Sequence, residues 1–300
     1  MPRTHTRHFR VRYYECDPFG HVNNANYLRY LEEAAFDASA AAGYDNAAYR
    51  AMGRMWLVRE TQIEYLRPLK YNDEFAVKTW IADFRRVQSR RMYEVTNLTT
   101  GEMAARAHTD WVFVDTSSGA LATIPRELIA DFNPDGTPPE ALPRRRFPEP
   151  PPPPPGAFHL RQRVEWPDID SAWHVNNAAY LRYVENASMG VVAAYGWPVQ
   201  RMFAENGAVL LRSHQIQYLQ PAVLDDELEV TTWISQLKRA TAMRHYSIAR
   251  VRDGAVLTRL HTLGVWVNLT TGLPERFPAQ FIADFAPNLA ITDAPQDPAP

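Results

Sequence analysis

The chain is poor in cysteine: Cys16 is the only one among its 300 residues. A lone thiol cannot form an internal disulfide, and it excludes a zinc site built from several cysteines. An excess of basic charge is also missing, because 32 lysines and arginines stand against 34 aspartates and glutamates, for a formal net charge of -2. Proteins that follow nucleic-acid phosphates normally carry a basic excess on the binding domain. We therefore expect neither a metal site nor a nucleic-acid partner.

Long hydrophobic runs are absent as well. No apolar stretch approaches the roughly 18 residues of a membrane span, and the basic start MPRTHTRHFR leads into a strand pattern rather than the apolar core of a signal peptide. We expect a cytoplasmic protein without a membrane partner. With 46% hydrophobic and 12% aromatic residues, the chain can bury two substantial cores.

What the sequence does contain is an internal duplication. The segment HVNNANYLRYLE at 21–32 returns as HVNNAAYLRYVE at 174–185, with ten of twelve residues identical at an offset of 153. The same offset aligns Gln62 with Gln215 and His108 with His261 without a gap. Such a period is too long for a solenoid unit and fits a small domain. Two like domains on one chain can form the pseudo-twofold pair of a permanent dimer.

The repeat and the proline content predict the domain limits. The first domain spans 1–132, a proline-rich linker spans 133–157, the second domain spans 158–290, and 291–300 form a flexible tail. The linker holds 11 of the 24 prolines, six of them consecutive. A run of this kind favours polyproline II, at ~3.1 Å per residue, and can act as a semi-rigid strap. A proline-rich ligand for another protein is the alternative interpretation.

Each copy has the same pattern of periodicities. In the first, 8–15 alternate as a strand, a polar turn follows, and a helix begins with Asn23 or Asn24 as its N-cap. Four strand-like runs come next, near 55–67, 73–84, 89–99 and 102–115. One long helix followed by hairpin-linked strands predicts an α+β fold, with an antiparallel sheet wrapped around a single helix in each copy.

The turn before each helix carries the candidate chemistry. Asp17 and His21 are four residues apart, as are Asp170 and His174, and both pairs stand just ahead of a helix N-terminus. The helix dipole and free N–H donors favour an ionised carboxylate there, which suits a nucleophile or a general base. The same N–H groups can stabilise a developing oxyanion. Aspartates that only shape a turn and histidines that only fill the core are the alternative.

These residues carry a family resemblance. The stretch RVRYYECDPFGHVNNANYLRYLEEA, with QIEYLRPLKYNDEF after it, resembles hotdog-fold acyl-CoA thioesterases of the 4-hydroxybenzoyl-CoA thioesterase type. The second copy, VEWPDIDSAWHVNNAAYLRYVENA, is similar to these and to plant acyl-ACP thioesterases, which are tandem hotdogs. The resemblance covers about 9–132 and 162–285. It implies a hotdog fold, sites at the interface between two hotdogs, and thioester hydrolysis by an aspartate in the position of Asp17 or Asp170.

The implied function is that of an acyl-CoA thioesterase with no cofactor, since coenzyme A is part of the substrate. A thioester suits these side chains because its thiol ionises near ~8.5 and leaves with little help from an acid. The carboxylate either attacks the carbonyl or deprotonates water. The predicted catalytic residues are Asp17, His21, Asp170 and His174. The predicted substrate-binding residues are Gly20, Asn23, Asn24, Asn176, Asn177, Arg85, Arg86, Lys238 and Arg239.

Two of these assignments depend on comparing the copies, one on a difference between them and one on residues that they share. Gly20 allows a close approach of substrate to the backbone, whereas Trp173 at the same position fills space or lines a pocket, so Asp17 is favoured over Asp170. The basic residues repeated near the third strand either hold coenzyme A phosphates or are solvated strand ends. They include a third repeated pair, Arg91 and Arg244.

Further alternatives stay open. An acyl-ACP thioesterase comes second, because such enzymes carry Asn two residues after the aspartate and Phe19 and Ala172 stand there instead. A hotdog hydratase has a different Asp-to-His spacing, and a non-catalytic acyl-thioester-binding protein would tolerate loss of both aspartates.

Cys16 aligns with Ile169 of the other copy and is interpreted as a buried filler rather than a nucleophile. Glu32 and Glu185 are interpreted as hydrogen-bonding helix residues. Association of the chains into a homo-oligomer is a further expectation.

Overall fold

The computed structural model describes residues 2–135 and 143–290. The predicted tail 291–300 and part of the predicted linker, 136–142, lie outside the described residues. The linker residues from 143 to 157 contain neither helix nor strand. By its internal contacts the chain divides into two compact units. The first unit consists of Met1–Arg146, Asn177–Leu181 and Gln215–Tyr218, and the second of Phe147–Asn176, Arg182–His214 and Leu219–Pro300. The domain boundaries drawn from the sequence stay a prediction.

The first sequence copy folds into five strands and three helices. In chain order they are β1 (Thr4–Arg10), α1 (Asn24–Ala41), α2 (Asn46–Ala51), β2 (Arg54–Tyr65), β3 (Glu74–Phe84), β4 (Gln88–Asn97), β5 (Met103–Asp115) and α3 (Arg126–Phe132). The strands lie in the order β1-β3-β4-β5-β2, and the registered pairs of this copy are antiparallel. The long helix α1 packs on the sheet, and its contacts include β1 and β3.

The second copy repeats this arrangement. Its elements are β6 (Phe158–Arg163), α4 (Ala179–Ala194), α5 (Val199–Ala204), β7 (Gly207–Tyr218), β8 (Glu227–Leu237), β9 (Thr241–Arg250), β10 (Val256–Asn268) and α6 (Ala279–Asp284). The strand order β6-β8-β9-β10-β7 matches that of the first copy element by element. Even the irregularities agree, because β3 bulges between Ile81 and Asp83 and β8 between Ile234 and Gln236. The α+β class predicted from the sequence is confirmed.

The apolar residues that recur at helical spacing in α1 lie on its buried face. Leu28, Leu31, Ala35 and Ala38 are at most 6% exposed, and the alanines let the sheet approach the helix closely. The helix is followed by a glycine: Gly43 has φ +92° and donates its N–H to the Ala40 carbonyl at 2.9 Å. Only glycine adopts this left-handed conformation without cost.

Each copy has a core cluster, rich in aromatic side chains, that includes residues of its short helices. In the first, Tyr49, Phe113, Leu128 and Phe132 pack together. In the second, Trp197, Trp266, Phe277, Phe281 and Phe285 do so. Fully burying a side chain of this kind contributes roughly 1.5–3 kcal/mol, so these clusters fix α3 and α6 at one end of their sheets.

The predicted strand at 8–15 is wrong in its position. The strand is Thr4–Arg10, and Tyr13–Glu15 form a short 3-10 turn instead. The Glu15 carboxylate explains the difference, because it accepts a hydrogen bond from the backbone N–H of Arg12 at 2.7 Å and draws the chain into a turn. This turn leads directly into the segment that contains Asp17.

Candidate functional site

Asp17 lies in a tight turn that its own carboxylate holds. Its Oδ1 accepts hydrogen bonds from the backbone N–H groups of Phe19 at 2.9 Å and His21 at 3.2 Å. Its N–H donates to the His21 carbonyl at 2.8 Å, and its carbonyl accepts from Gly20 at 2.9 Å. Within the part of the chain that is described, no hydrogen bond engages Oδ2. The turn therefore fixes the carboxylate through one oxygen and leaves the other open to a substrate or a water molecule.

The second copy builds the same turn around Asp170. Its Oδ1 accepts from the Ala172 N–H at 2.8 Å, its N–H donates to the His174 carbonyl at 2.9 Å, and its carbonyl accepts from Trp173 at 3.0 Å. Both aspartates are half-buried. The structure thus brings each aspartate together with the histidine four residues later, as the spacing predicts.

Gly20 and Trp173 have structural roles that differ from those expected from the sequence. Both residues adopt a left-handed backbone, with φ +75° and +63°. A Cβ added at Gly20 would meet no atom within 4 Å, so the glycine serves the turn itself. The Trp173 side chain is 68% exposed, with its ring edge-to-face with Trp166 at 6.1 Å between centroids. It fills no buried space, which corrects that part of the expectation.

His21 is half-buried beside Asp17. Burial lowers its pKa below the ordinary value, Lys70 adds to the lowering, and Asp17 opposes it. The backbone of His21 also pairs with that of Lys70. A lowered pKa keeps the imidazole neutral near pH 7, where it can donate one hydrogen bond and accept another.

The asparagines at the helix starts are partly committed to the fold. Asn23 is the N-cap of α1, and its side chain accepts from the Ala25 N–H at 2.9 Å while its carbonyl accepts from the Asn26 N–H at 2.9 Å. This confirms the predicted cap. It also removes two of the N–H groups that could have bound an oxyanion. In the second copy Asn176 donates its N–H to the Asp168 carbonyl at 2.8 Å.

The backbone carbonyls of two of the asparagines accept hydrogen bonds from tyrosine hydroxyls. The Asn24 carbonyl accepts from Tyr65 at 3.4 Å, and the Asn177 carbonyl accepts from Tyr218 at 3.0 Å. The two tyrosines occupy equivalent positions of the repeat. Their bonds leave the amide side chains of Asn24 and Asn177 outside this interaction.

The basic residues fall into two groups. Arg85, Arg86, Lys238 and Arg239 are exposed in the hairpin turns after β3 and β8. Their exposure is compatible with phosphate binding and with simple solvation. Arg91 and Arg244 are not part of this surface.

Arg91 is buried and Arg244 is half-buried, and both lie within their own copy. Arg91 is 5% exposed and lies 5.7 Å from the ring centroid of Phe132. Arg244 donates to Thr232 Oγ1 at 3.3 Å and to Asn288 Oδ1 at 3.2 Å. Burial lowers the pKa of both guanidinium groups. The structure therefore argues against this third pair as a site for coenzyme A phosphates, because Arg91 is buried and the Arg244 guanidinium already donates to two side chains of its own copy.

Cys16 is half-buried rather than buried, and its Sγ lies 3.9 Å from the Arg12 carbonyl. Burial, with Asp17 and Glu15 beside it, raises the pKa of the thiol. A raised pKa disfavours the thiolate, which is the nucleophilic form. The local environment therefore opposes a cysteine nucleophile.

Sequence reasoning missed a small cavity in the first unit. Its volume is ≈ 20 Å³, and its walls come from α1, β2, β4, β5 and the segments Asn177–Leu181 and Gln215–Tyr218. The lining residues are Leu28, Leu31, Glu32, Val58, Thr61, Tyr93, Thr109, Trp111, Asn177, Ala178 and Tyr218. Of these, Asn177 was predicted from the sequence as substrate-binding. A second lining residue, Glu32, stood out in the sequence only because it is repeated as Glu185.

No helix in the described ranges 2–135 and 143–290 combines the length and the apolarity that a membrane crossing requires.

Comparison with known proteins defines the class. The profile of the Thioesterase-like superfamily matches 11–132 and again 164–285, so the chain belongs to this superfamily, with one family domain in each copy. The match confirms the resemblance found in the sequence and the hotdog fold that it implied.

Three relatives show the range of the similarity. The chain is 25% identical to the chloroplastic Acyl-[acyl-carrier-protein] hydrolase FATB2 of Cuphea viscosissima over 59% of its own length. It is 27% identical to the Acyl-CoA thioester hydrolase YbgC of Escherichia coli over 43% of its length and 95% of that protein. The 12:0-ACP thioesterase of Umbellularia californica superposes with a TM-score of 0.67 at 20% identity, covering 88% of this chain and 94% of the other. The match to the Cuphea protein spans only 45% of that protein's length.

Proposed function

We propose that the protein is a thioester hydrolase that cleaves acyl-CoA into a free acid and coenzyme A. The observation that carries this proposal is the turn of Asp17, repeated at Asp170, in a chain of the thioesterase superfamily. In both turns backbone N–H groups hold one carboxylate oxygen, and a histidine follows four residues later. In the Asp17 turn, the second carboxylate oxygen accepts no hydrogen bond from the described residues and is the atom that we assign to the chemistry.

Two routes are chemically complete with these groups. In the first, Oδ2 of the aspartate attacks the thioester carbonyl carbon, the C–S bond breaks, and the thiolate leaves with the electron pair. Water then attacks the mixed anhydride, which releases the acid and restores the carboxylate. In the second route the carboxylate takes a proton from water as the water oxygen attacks the carbonyl carbon, the C–S bond breaks and the thiolate leaves with the electron pair, and the protonated carboxyl then gives its proton to the thiolate or to solvent. His21, whose lowered pKa keeps the imidazole neutral near pH 7, would orient the thioester by hydrogen bonding, and His174 would take this place in the second copy.

Asp17 is our principal candidate because Lys70 lies near its histidine. The positive charge that lowers the pKa of His21 also attracts an anionic thioester and stabilises negative charge that develops on the carbonyl oxygen. The equivalent position of the second copy is Val223, which supplies no charge. Exposed Arg85, Arg86, Lys238 and Arg239 are the candidates for the coenzyme A phosphates.

The carrier is the point on which the relatives diverge. A plant acyl-ACP thioesterase and a bacterial acyl-CoA hydrolase are both similar to this chain. Acyl-ACP is therefore the second candidate substrate, with coenzyme A preferred because Phe19 and Ala172 replace the Asn typical of the carrier-protein enzymes. A chain that binds acyl thioesters without cleaving them is the third.

One experiment separates these functions. Free-thiol release is measured from matched acyl-CoA and acyl-ACP substrates, with the parent and with Asp17→Asn, Asp170→Asn and the double variant. We expect faster release from acyl-CoA and a loss of about 10²–10⁴-fold in kcat for Asp17→Asn, the usual contribution of a general base. Undiminished thiol release in the folded double variant would remove the mechanism. Binding without release in the parent would instead establish the non-catalytic function.

A further inference from the structure

The cavity of the first unit has walls of mainly apolar character. Leu28 and Leu31 of α1, Val58 of β2 and Ala178 present carbon atoms to it, and little polar surface reaches the space. A volume of ≈ 20 Å³ has room for about one water molecule. As it stands, the cavity can receive only the end of a small apolar group.

Trp111 is the largest side chain in these walls. It lies on β5 between Val58 of β2 and Ser89 of β4, which are its partners in the two registers, and only 8% of it is exposed. An indole fills more volume than any other side chain. Trp111 is therefore the bulkiest side chain that bounds the cavity.

The repeat supplies a natural comparison for this position. The residue equivalent to Trp111 in the second copy is Gly264. A Cβ at Gly264 would come within 2.8 Å of Val209 Cγ1, so there a neighbouring side chain occupies the space. The same strand of the same fold thus accepts either a tryptophan or no side chain at all. The shared architecture therefore does not by itself require a tryptophan at this position, and in the first copy this residue lines the cavity.

One residue of the cavity wall was also predicted from the sequence as substrate-binding. This residue is Asn177, which lines the cavity together with Glu32 of α1. Asn177 and Trp111 therefore line the same small space in the first unit.

We propose that this cavity receives the acyl group of the thioester and that Trp111 sets the limit on its size, so that the substrates carry short, compact, apolar acyl groups. The inference rests on the proposed thioesterase function, and it names the class of acyl group. Trp111 is a specificity-determining residue in this proposal and takes no part in bond breaking. A long fatty acyl chain would find its path blocked by the indole.

The test is a chain-length profile. S-acyl-pantetheines serve as substrates, because pantetheine is common to coenzyme A and acyl carrier protein and makes the result independent of the carrier. kcat/KM is measured for straight acyl chains from two to sixteen carbons with the parent, Trp111→Phe, Trp111→Leu and Trp111→Ala. Trp56→Leu is the matched control, since Trp56 lies on the adjacent strand β2, packs on Phe113 at 4.7 Å between centroids and does not line the cavity.

We expect the parent to prefer the shortest chains and the optimum to move to longer chains by several carbons as residue 111 becomes smaller. The graded series keeps the test decisive even if Trp111→Ala, which leaves a large hole in the core, does not fold. Trp56→Leu should keep the optimum of the parent. An optimum that stays in place in folded Trp111→Leu and Trp111→Phe, while hydrolysis continues, overturns the role of Trp111 alone. A parent that hydrolyses no thioester overturns the proposed function on which the inference rests.

Discussion

His245 and His261 contact each other edge to face in the core of the second copy, with ring centroids 4.6 Å apart. His245 Nε2 lies 2.6 Å from the Ser235 hydroxyl, and the ring of Phe147 covers His261 at 4.5 Å. Burial lowers the pKa of His245 to about 3 and that of His261 to about 4. Two imidazoles this close cannot both carry a charge without repulsion. The core of the second copy therefore contains a pair of neutral histidines.

The pair makes stability depend on pH. In the unfolded chain both histidines bind protons near pH 6.5, whereas in the folded chain they resist protonation until about pH 4. The unfolded state then holds more protons, so the free energy of unfolding decreases as pH falls from about 6.5 towards 4. Above pH 6.5 this contribution is fully present. We expect urea midpoints to fall steeply across that window.

The variant His261→Gln tests the assignment. It removes one titrating group, so the loss of stability between pH 6.5 and 4.5 should be smaller than in the parent, whatever its stability at pH 8. His5→Gln is the control, because His5 is a half-buried residue of β1 outside this pair. Equal slopes for the parent and His261→Gln would contradict the assignment.

The effect of Lys70 on His21 can be measured directly. Replacing Lys70 with Met removes the cation that helps to depress the histidine, so the pKa of His21 should rise. NMR titration of the His21 ring in the parent and in Lys70→Met gives the comparison. Lys78→Met is the matched control, since Lys78 lies on β3 near Glu94 at 3.9 Å. A pKa of His21 that falls or stays constant in Lys70→Met would show that the charge does not reach the ring.

The turn around Asp17 should be sensitive to the backbone conformation of Gly20. An alanine there meets no neighbouring atom but must adopt φ near +75°, which costs about 1–2 kcal/mol. Gly20→Ala should therefore lower the free energy of unfolding by about that amount, as measured by urea denaturation. Gly20→Asn should lose less, because asparagine tolerates this conformation, as Asn72 does at φ +70°. A larger loss for Asn than for Ala would mean that space, and not conformation, limits this position.

Arg144 and Asp83 form a buried ion pair in the first unit, with side chains 9% and 0% exposed. Arg144 also donates to Gln88 Oε1 at 2.8 Å. Removing Arg144 takes away the cation that pairs with the buried Asp83 carboxylate, and breaking a buried pair in this way costs about 3–5 kcal/mol. We expect Arg144→Met to lower the free energy of unfolding by that amount.

The pair between Arg163 and Asp225 is the control for this prediction. Its side chains are 70% and 65% exposed, so Arg163→Met should cost less than about 1 kcal/mol. Equal losses for the two variants would show that burial does not distinguish the pairs.

Local features of the fold could be predicted from the sequence. The cap by Asn23, the glycine end of α1 at Gly43 and the strands β2 to β5 depend on residues close together in the chain, and the structure confirms them. The strand proposed for 8–15 failed because one side chain, Glu15, caps a turn that alternation cannot reveal.

The burial of individual side chains was harder to predict from the sequence than the helices and strands. Arg91 and Arg86 are both repeated cations near the third strand, yet one is buried against Phe132 and the other is exposed. The choice depends on the side of the sheet and on which helix covers it. Neither is visible in a list of charges.

The sequence by itself determined the duplication, the superfamily and the two aspartate turns, because these depend on the order of residues within short segments. Only the tertiary structure decided that Trp111 lines a cavity and that Asn177 shares this cavity with Glu32. Those residues lie far apart along the chain. Their meeting depends on strand pairing and helix packing over long sequence distances, which no local pattern encodes.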